Sequence, residues 1–356
     1  MMEIRIDKVK LSKLPQTDLT KIPFGRVFTD HMFIMEYKNG SWQNARIEGV
    51  RSIPMHPANL TLHYGQSIFE GMKASKNEDG VPLLFRADMH AARMNASAKR
   101  MCMPTIDPAL FVEAVRQLVS MERDWIPGDE GSALYIRPFM FATDEFLGVA
   151  PSESYVFIIL TLPVAPYYSH PVKLLASTDY IRAAKGGVGE AKTAGNYAAS
   201  LLASKEAKQK GFDQVLWLDG RDFKYVQEVG TMNIFFVIND KVITPPTDGA
   251  ILKGITRDSF LHILKDKGYA VEIRPISMDE VVEAYQNDQL QEVFGAGTAA
   301  VAVDVQQIGY KDHLIELNPR KDSLAQLLKK EINGLRSGKI EDRYGWTEPV
   351  YEVENV

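Results

Sequence analysis

One cysteine in 356 residues, Cys102, excludes an internal disulfide framework and every paired-cysteine metal motif. The seven histidines carry no metal spacing. His56 and His63 stand seven apart and no His-Glu-x-x-His string occurs, so a zinc or iron centre is not expected. Long apolar runs are also missing. The stretch 155–168 is interrupted by Thr161, Pro163 and Pro166 and falls short of the roughly 20 residues a membrane helix needs, so it reads as buried strand. Charge of one sign never accumulates: 41 basic and 46 acidic residues leave a net −5 without a long block, which removes the electrostatic footprint of a general nucleic-acid surface. Small molecules are the expected partners. Residues 1–14 alternate charged and apolar side chains, unlike a secretory leader, so a cytoplasmic location is expected. What remains is ordinary globular composition, 45% apolar and 24% charged, at a length that predicts two domains.

The first half mixes strands and helices. Residues 30–37 (DHMFIMEY) read as a strand closed by an Asn39-Gly40 turn, and 82–86, 134–141 and 155–162 as further strands. Breaker-free residues 88–101, rich in Ala, Met and Arg, and the periodic apolar positions of 108–123 predict two helices. A composition shift at 164–169 and the small-residue string AAKGGVG at 183–189 suit a linker or a loop lying against a ligand. The expected division is therefore 1–165, a linker at 166–189, and 190–356. The second half opens on a helix at 196–210 ended by Gly211, then strands near 214–218, 223–227 and 233–238 form an antiparallel meander through Asp219-Gly220 and Asn239-Asp240 turns. A helix at 257–267 follows. The expected class is α/β (α+β).

Chemistry concentrates in a few strings. In GGVGEAKTAGNY, 186–197, Lys192 sits among small residues that let a flat ligand approach, and a partly desolvated amine of this kind suits Schiff-base chemistry. A solvated loop lysine is the competing reading. The same letters nearly spell a P-loop, but Ala191 replaces the second glycine and the preceding residues 177–185 are too polar for the buried strand that motif requires. Glu228, in EVGTMN, could meet a pyridine nitrogen at a strand end, although taken alone the string favours a surface hairpin glutamate. Gly254-Ile255-Thr256 at a helix start and the turn 295–300 (GAGTAA) offer backbone amides to an anion; a simple cap and a tight turn are the alternatives.

Taken in order, LHYGQSIFEGMKA, LFRADMHAARM, LYIRP, AKTAGNY, EVGTMN, GITRD and FGAGTAA resemble the branched-chain amino acid aminotransferases, fold-type IV enzymes that use pyridoxal 5′-phosphate. The match runs from Phe24 to Trp346. The resemblance implies a two-domain fold with 190–356 as the large cofactor-binding domain. It also implies transamination between leucine, isoleucine or valine and 2-oxoglutarate in ping-pong order through the pyridoxamine form, and a homodimer. It makes Lys192 the Schiff-base lysine, pairs Glu228 with the pyridine nitrogen and Tyr197 with the phenolic oxygen, and gives the phosphate to Arg93, Ile255, Thr256 and Thr298. Phe24, Tyr64, Phe69, Tyr135, Arg137, Thr298 and Ala299 become the substrate contacts, with glutamate and the branched-chain 2-oxo acids as the other substrates. One departure is visible: the Cys-x-x-Cys that mammalian members carry after the GTA turn is AVAV here, at 300–303, which removes a thiol switch there. Cys102 is expected to be a buried structural thiol.

Overall fold

The computed structural model describes residues 2–20, 22–166 and 170–351. They fall into two compact units, one holding the chain up to 166 and from Asn333 onward, the other 170 to Ile332. The first unit contains β1 (Arg5–Ile6), β2 (His31–Lys38), β3 (Ser41–Gly49), α1 (Leu60–Tyr64), β4 (Ser67–Phe69), β5 (Met72–Lys76) and β6 (Pro82–Phe85). It continues through α2 (Ala87–Arg100), α3 (Pro108–Met121), β7 (Ala133–Ala142) and β8 (Tyr155–Val164). The second unit begins with β9 (Val172–Ala176), α4 (Ala194–Ala198), α5 (Leu201–Gln209), β10 (Gln214–Leu218), β11 (Val226–Val229), β12 (Asn233–Ile238) and β13 (Lys241–Thr244). After these come α6 (Ile255–Asp266), β14 (Ala270–Ile273), α7 (Met278–Gln286), β15 (Leu290–Gly297), β16 (Val301–Tyr310), β17 (His313–Glu316) and α8 (Leu324–Arg336), whose residues from Asn333 on are counted with the first unit. The last strand, β18 (Thr347–Pro349), returns to the first unit.

In the first unit the strand order is β1-β3-β2-β8-β7-β5-β6-β18, with β4 added on β7. The β2/β3 hairpin turns at Asn39 and Gly40, both at positive φ (52° and 78°), the backbone a two-residue turn needs to match strand twist. β8 is buried along most of its length and runs unbroken through Thr161 and Pro163, so the expected interruptions do not end it. Asp107 caps α3 by accepting from the Ala109 amide at 2.9 Å, with Pro108 at the first helical position. Met94 of α2 and Phe111, Val115 and Leu118 of α3 join Phe33, Ile136 and Phe157 in one core.

The second sheet runs β11-β10-β9-β16-β15-β12-β13-β14, with β17 on β16. Here the sequence reading needs three corrections. The three-strand meander is divided: β10/β11 and β12/β13 are separate hairpins, and β9, β16 and β15 lie between them along the sheet. The first hairpin has no two-residue turn, because Asp219 instead gathers four backbone amides, those of Arg221, Asp222, Lys224 and Tyr225, and closes a longer loop. The helix expected at 196–210 is two, α4 and α5, although Gly211 does take the left-handed conformation at its end (φ 84°).

The division of the chain also differs from the composition reading. Inside the expected linker at 166–189, Val172–Ala176 forms β9, paired in parallel with β10 and β16 at the middle of the second sheet. Residues 167–169 of that linker lie outside the described residues. At the other end, β18 pairs with β6, which carries the C-terminal segment away from 190–332 and onto the first unit. Cys102 is exposed, contrary to expectation. It follows the last turn of α2 at φ 53°, where the chain reverses: the Met103 amide bonds back to the Ala98 carbonyl at 2.8 Å, and Met103 is the residue turned into the core.

Candidate active site

Lys192 stands just before α4, in a loop whose bends are held by the Asn196 side chain. Its Nδ2 donates to the carbonyls of Val188 and Ala191 at 2.9 Å each. One helical turn on, the Tyr197 hydroxyl lies 2.8 Å from the lysine Nζ. Glu228 reaches the same place from β11, where it is 3% exposed. A hairpin glutamate at the surface is thereby excluded. Its Oε1 accepts from the Leu252 amide at 2.7 Å, and its Oε2 faces the Arg182 guanidinium at 3.3 Å. Arg182 is held in turn by the carbonyls of Gly189 and Ala250. Lys192, Tyr197, Glu228, Arg182, Thr231 and Leu252 share the wall of one narrow cleft.

α6 begins beside this carboxylate group. Gly254 is its N-cap and supplies no side chain, so no side chain caps the first turn around the buried Ile255 and Thr256. A Cβ on Gly254 would lie 1.9 Å from Asn233 Oδ1, and that same asparagine bonds the Leu252 carbonyl at 3.0 Å. Space rather than backbone strain therefore demands glycine here. An uncapped helix start of this kind presents amide N–H groups and the positive end of the dipole to an anion. Thr298 and Ala299, half-buried, follow β15 in the turn to β16.

The other expected residues belong to the first unit. Tyr135 and Arg137 lie two apart on β7, and the Arg137 Nη2 donates to the Tyr135 hydroxyl at 3.0 Å. The Arg137 guanidinium lies 4.8 Å over the Phe69 ring, and Phe24 meets Tyr135 edge-on at 5.3 Å. Four of the expected substrate residues thus form one cluster. Tyr64 stands apart from it at the end of α1, 45% exposed, with its ring against His63. Arg93, on α2, gives its Nε and Nη2 to the fully buried Glu70 at 2.7 and 2.8 Å, and His90 adds a third contact at 2.8 Å. Burial by itself would raise the Glu70 carboxyl, but the Arg93 guanidinium and His90 outweigh it and hold it well below the usual carboxylate range.

Sequence reasoning missed Arg182, Asn233 and Glu70. Arg182 and Asn233 are ordinary polar residues of loop and strand-start strings, and nothing local marks them. Glu70 did leave a signal: an acidic residue inside the apolar string SIFEGM has to find a partner if that string is buried.

Comparison with known proteins places the chain. A family profile described as Amino-transferase class IV matches residues 67–308. The chain is 46% identical over 352 residues to branched-chain-amino-acid aminotransferase 2 of Bacillus subtilis (strain 168), covering 98% of this chain and 97% of that one. The chain belongs to the class IV aminotransferases, in the branched-chain family. A probable branched-chain-amino-acid aminotransferase of Staphylococcus aureus (strain N315) is likewise 46% identical, over 94% of this chain and 95% of its own. Among solved structures, the Escherichia coli branched-chain amino acid aminotransferase superposes with TM-score 0.74 at 27% identity, over 90% of this chain and 99% of that one. The T.th. branched-chain amino acid aminotransferase complexed with N-(5′-phosphopyridoxyl)-L-glutamate gives TM-score 0.71 at 27% identity, over 89% and 98%. The two-unit mixed α/β architecture is thus the fold-type IV arrangement of this aminotransferase family.

Proposed function

We propose that the chain transfers the amino group between leucine, isoleucine or valine and 2-oxoglutarate with pyridoxal 5′-phosphate as cofactor. The observation that carries this reading is the convergence of Lys192, Tyr197 and Glu228 on one cleft. Their chemistry fits the cofactor. Glu228 offers an anion for a protonated ring nitrogen, Tyr197 a donor for a phenolic oxygen, Lys192 an amine, and the uncapped start of α6 a phosphate site, to which Thr298 would contribute. When bound, pyridoxal phosphate supplies the aldehyde that receives the amino group and a ring that takes up the electron pair left when the α-proton departs.

In this reading Lys192 takes the proton from the substrate's α-carbon and would deliver it to the cofactor's aldehyde carbon, and the Tyr197 hydroxyl fixes where its Nζ stands. Glu228 keeps a proton on the ring nitrogen, and Arg182 and the Leu252 amide hold that carboxylate in place. Arg137 serves the second substrate. The distal carboxylate of glutamate is costly to bury without a partner, and the Arg137 Nε is buried with no acceptor among the described residues. Leucine's methyl groups would meet Phe24, Phe69 and the Tyr135 ring instead.

A homodimer and a cytoplasmic location complete the proposal. Phe146, Leu147 and Val149 present an exposed apolar loop of the kind a second copy would cover. No helix among the described residues is long and apolar enough to cross a membrane.

The test is spectroscopic. The purified protein loaded with pyridoxal phosphate should lose its yellow absorbance on addition of leucine, isoleucine, valine or glutamate and regain it with 2-oxoglutarate. A spectrum indifferent to all four amino acids would refute the assignment.

A further inference from the structure

β4 and β5 pair with β7 in one continuous register, Phe69 opposite Phe139 and Met72 opposite Ile136. Glu70 and Gly71 fill the break between them, opposite Pro138 and Arg137. Pro138 has no N–H for the ladder, and its carbonyl accepts from the Glu70 amide at 2.7 Å. Residues directly opposed across strands share a face, so Gly71 belongs to the face that carries Phe69, Tyr135 and Arg137. The space above Gly71 is taken. A Cβ there would stand 2.1 Å from the Tyr135 hydroxyl oxygen and 2.9 Å from the Tyr135 Cζ. Gly71 does not lie at positive φ, so glycine is required by that collision and not by its backbone. The Tyr135 ring is 6% exposed and held edge-on by Phe24, and its hydroxyl receives the Arg137 Nη2 hydrogen bond. Any side chain at 71 has to move the hydroxyl, which is the far end of that side chain, and in moving it breaks the contact that aims the guanidinium.

We infer that Gly71 is a specificity-determining position: by leaving room for the Tyr135 hydroxyl it sets the direction of Arg137, and so the preference for a substrate with a distal carboxylate over one with an aliphatic side chain. The inference rests on the proposed role of Arg137. Gly71 touches neither substrate nor cofactor in this account; it acts through Tyr135.

The experiment compares single-turnover half-reactions of the loaded enzyme with glutamate and with leucine in four proteins: Gly71→Ala, Tyr135→Phe, the double variant, and Arg137→Met. Gly71→Ala should lower the glutamate half-reaction by about tenfold more than the leucine one, the scale of one lost hydrogen bond to a charged group. In the Tyr135→Phe background, where the colliding oxygen is gone, the same alanine should change the glutamate-to-leucine ratio by less than about threefold, because the interaction it disrupts no longer exists. Equal losses for both amino acids on Gly71→Ala, or a penalty undiminished in the Tyr135→Phe background, overturn the inference. If Arg137→Met weakens both substrates equally, the reading of Arg137 falls and takes the specificity claim with it. A glutamate-selective Arg137→Met beside an unselective Gly71→Ala sinks the Gly71 inference alone. Should Gly71→Ala not fold, the double variant, in which the Cβ still meets the ring carbon at 2.9 Å but no longer the oxygen at 2.1 Å, is expected to fold; failure of both overturns the inference.

Discussion

Replacing Glu70 with glutamine removes a carboxylate that is fully buried and accepts from Arg93 Nε at 2.7 Å, Arg93 Nη2 at 2.8 Å, His90 Nδ1 at 2.8 Å and the Gly71 amide at 3.2 Å. The amide retains one acceptor oxygen, turns an NH₂ toward groups that are themselves donors, and takes the Glu70 negative charge away from the half-buried Arg93 guanidinium. Breaking one side of a buried pair costs about 3–5 kcal/mol. At about 2–4 °C per kcal/mol for a unit of this size, the first transition should fall by roughly 6–20 °C at pH 7. The pH dependence supplies an independent check. The Glu70 carboxyl titrates well below its unfolded value of about 4.3, so its stabilisation is complete above that value and is lost as the pH falls below it toward the depressed folded value. The gap in melting temperature between native protein and Glu70→Gln, followed by calorimetry from pH 7 to pH 3, should therefore hold constant to about pH 5 and then narrow. A loss under about 1 kcal/mol, or a gap that is unchanged or widens in acid, would refute the electrostatic account of this cluster.

Lys192→Ala should abolish turnover, since positioned proton transfer alone contributes about 10²–10⁴-fold and the covalent role of the amine is lost as well; near-normal transamination would move the assignment to Lys185. Glu228→Gln should keep the protein yellow and slow the leucine half-reaction in stopped flow, because a neutral amide holds a ring-nitrogen proton less well; an unchanged rate would mean the carboxylate only secures Leu252 and Arg182. Cys102, exposed at the end of α2, should react with a thiol reagent in the folded protein at a 1:1 ratio to chain and at a rate close to that of a free thiol; protection until unfolding would contradict its placement.

The sequence by itself settled the family, the cofactor chemistry and the local punctuation. Asn39-Gly40 and Asn239-Asp240 do take the positive φ values that tight turns require, and Gly211 does end its helix, because turn and cap chemistry is decided within a few residues. Lys192 and Tyr197 were legible together for the same reason: one short stretch carries both. The partners of Glu228 were not. Arg182 and the Leu252 amide reach it from loops far along the chain, and no pattern in either string announces the meeting. Cys102 was misread because a small apolar residue at a helix end is buried or exposed according to which way the reversal turns, and Met103 took the inward place. Tertiary pairing alone decided that β9 enters the middle of the second sheet from what composition marked as linker, and that β18 returns to β6. A five-residue strand paired in parallel carries no hairpin signal, since its neighbours arrive through long connections. The same limit applies to Gly71: its letter is visible in the sequence, but the collision that requires it exists only once β5 lies beside β7 and brings the Tyr135 hydroxyl over it.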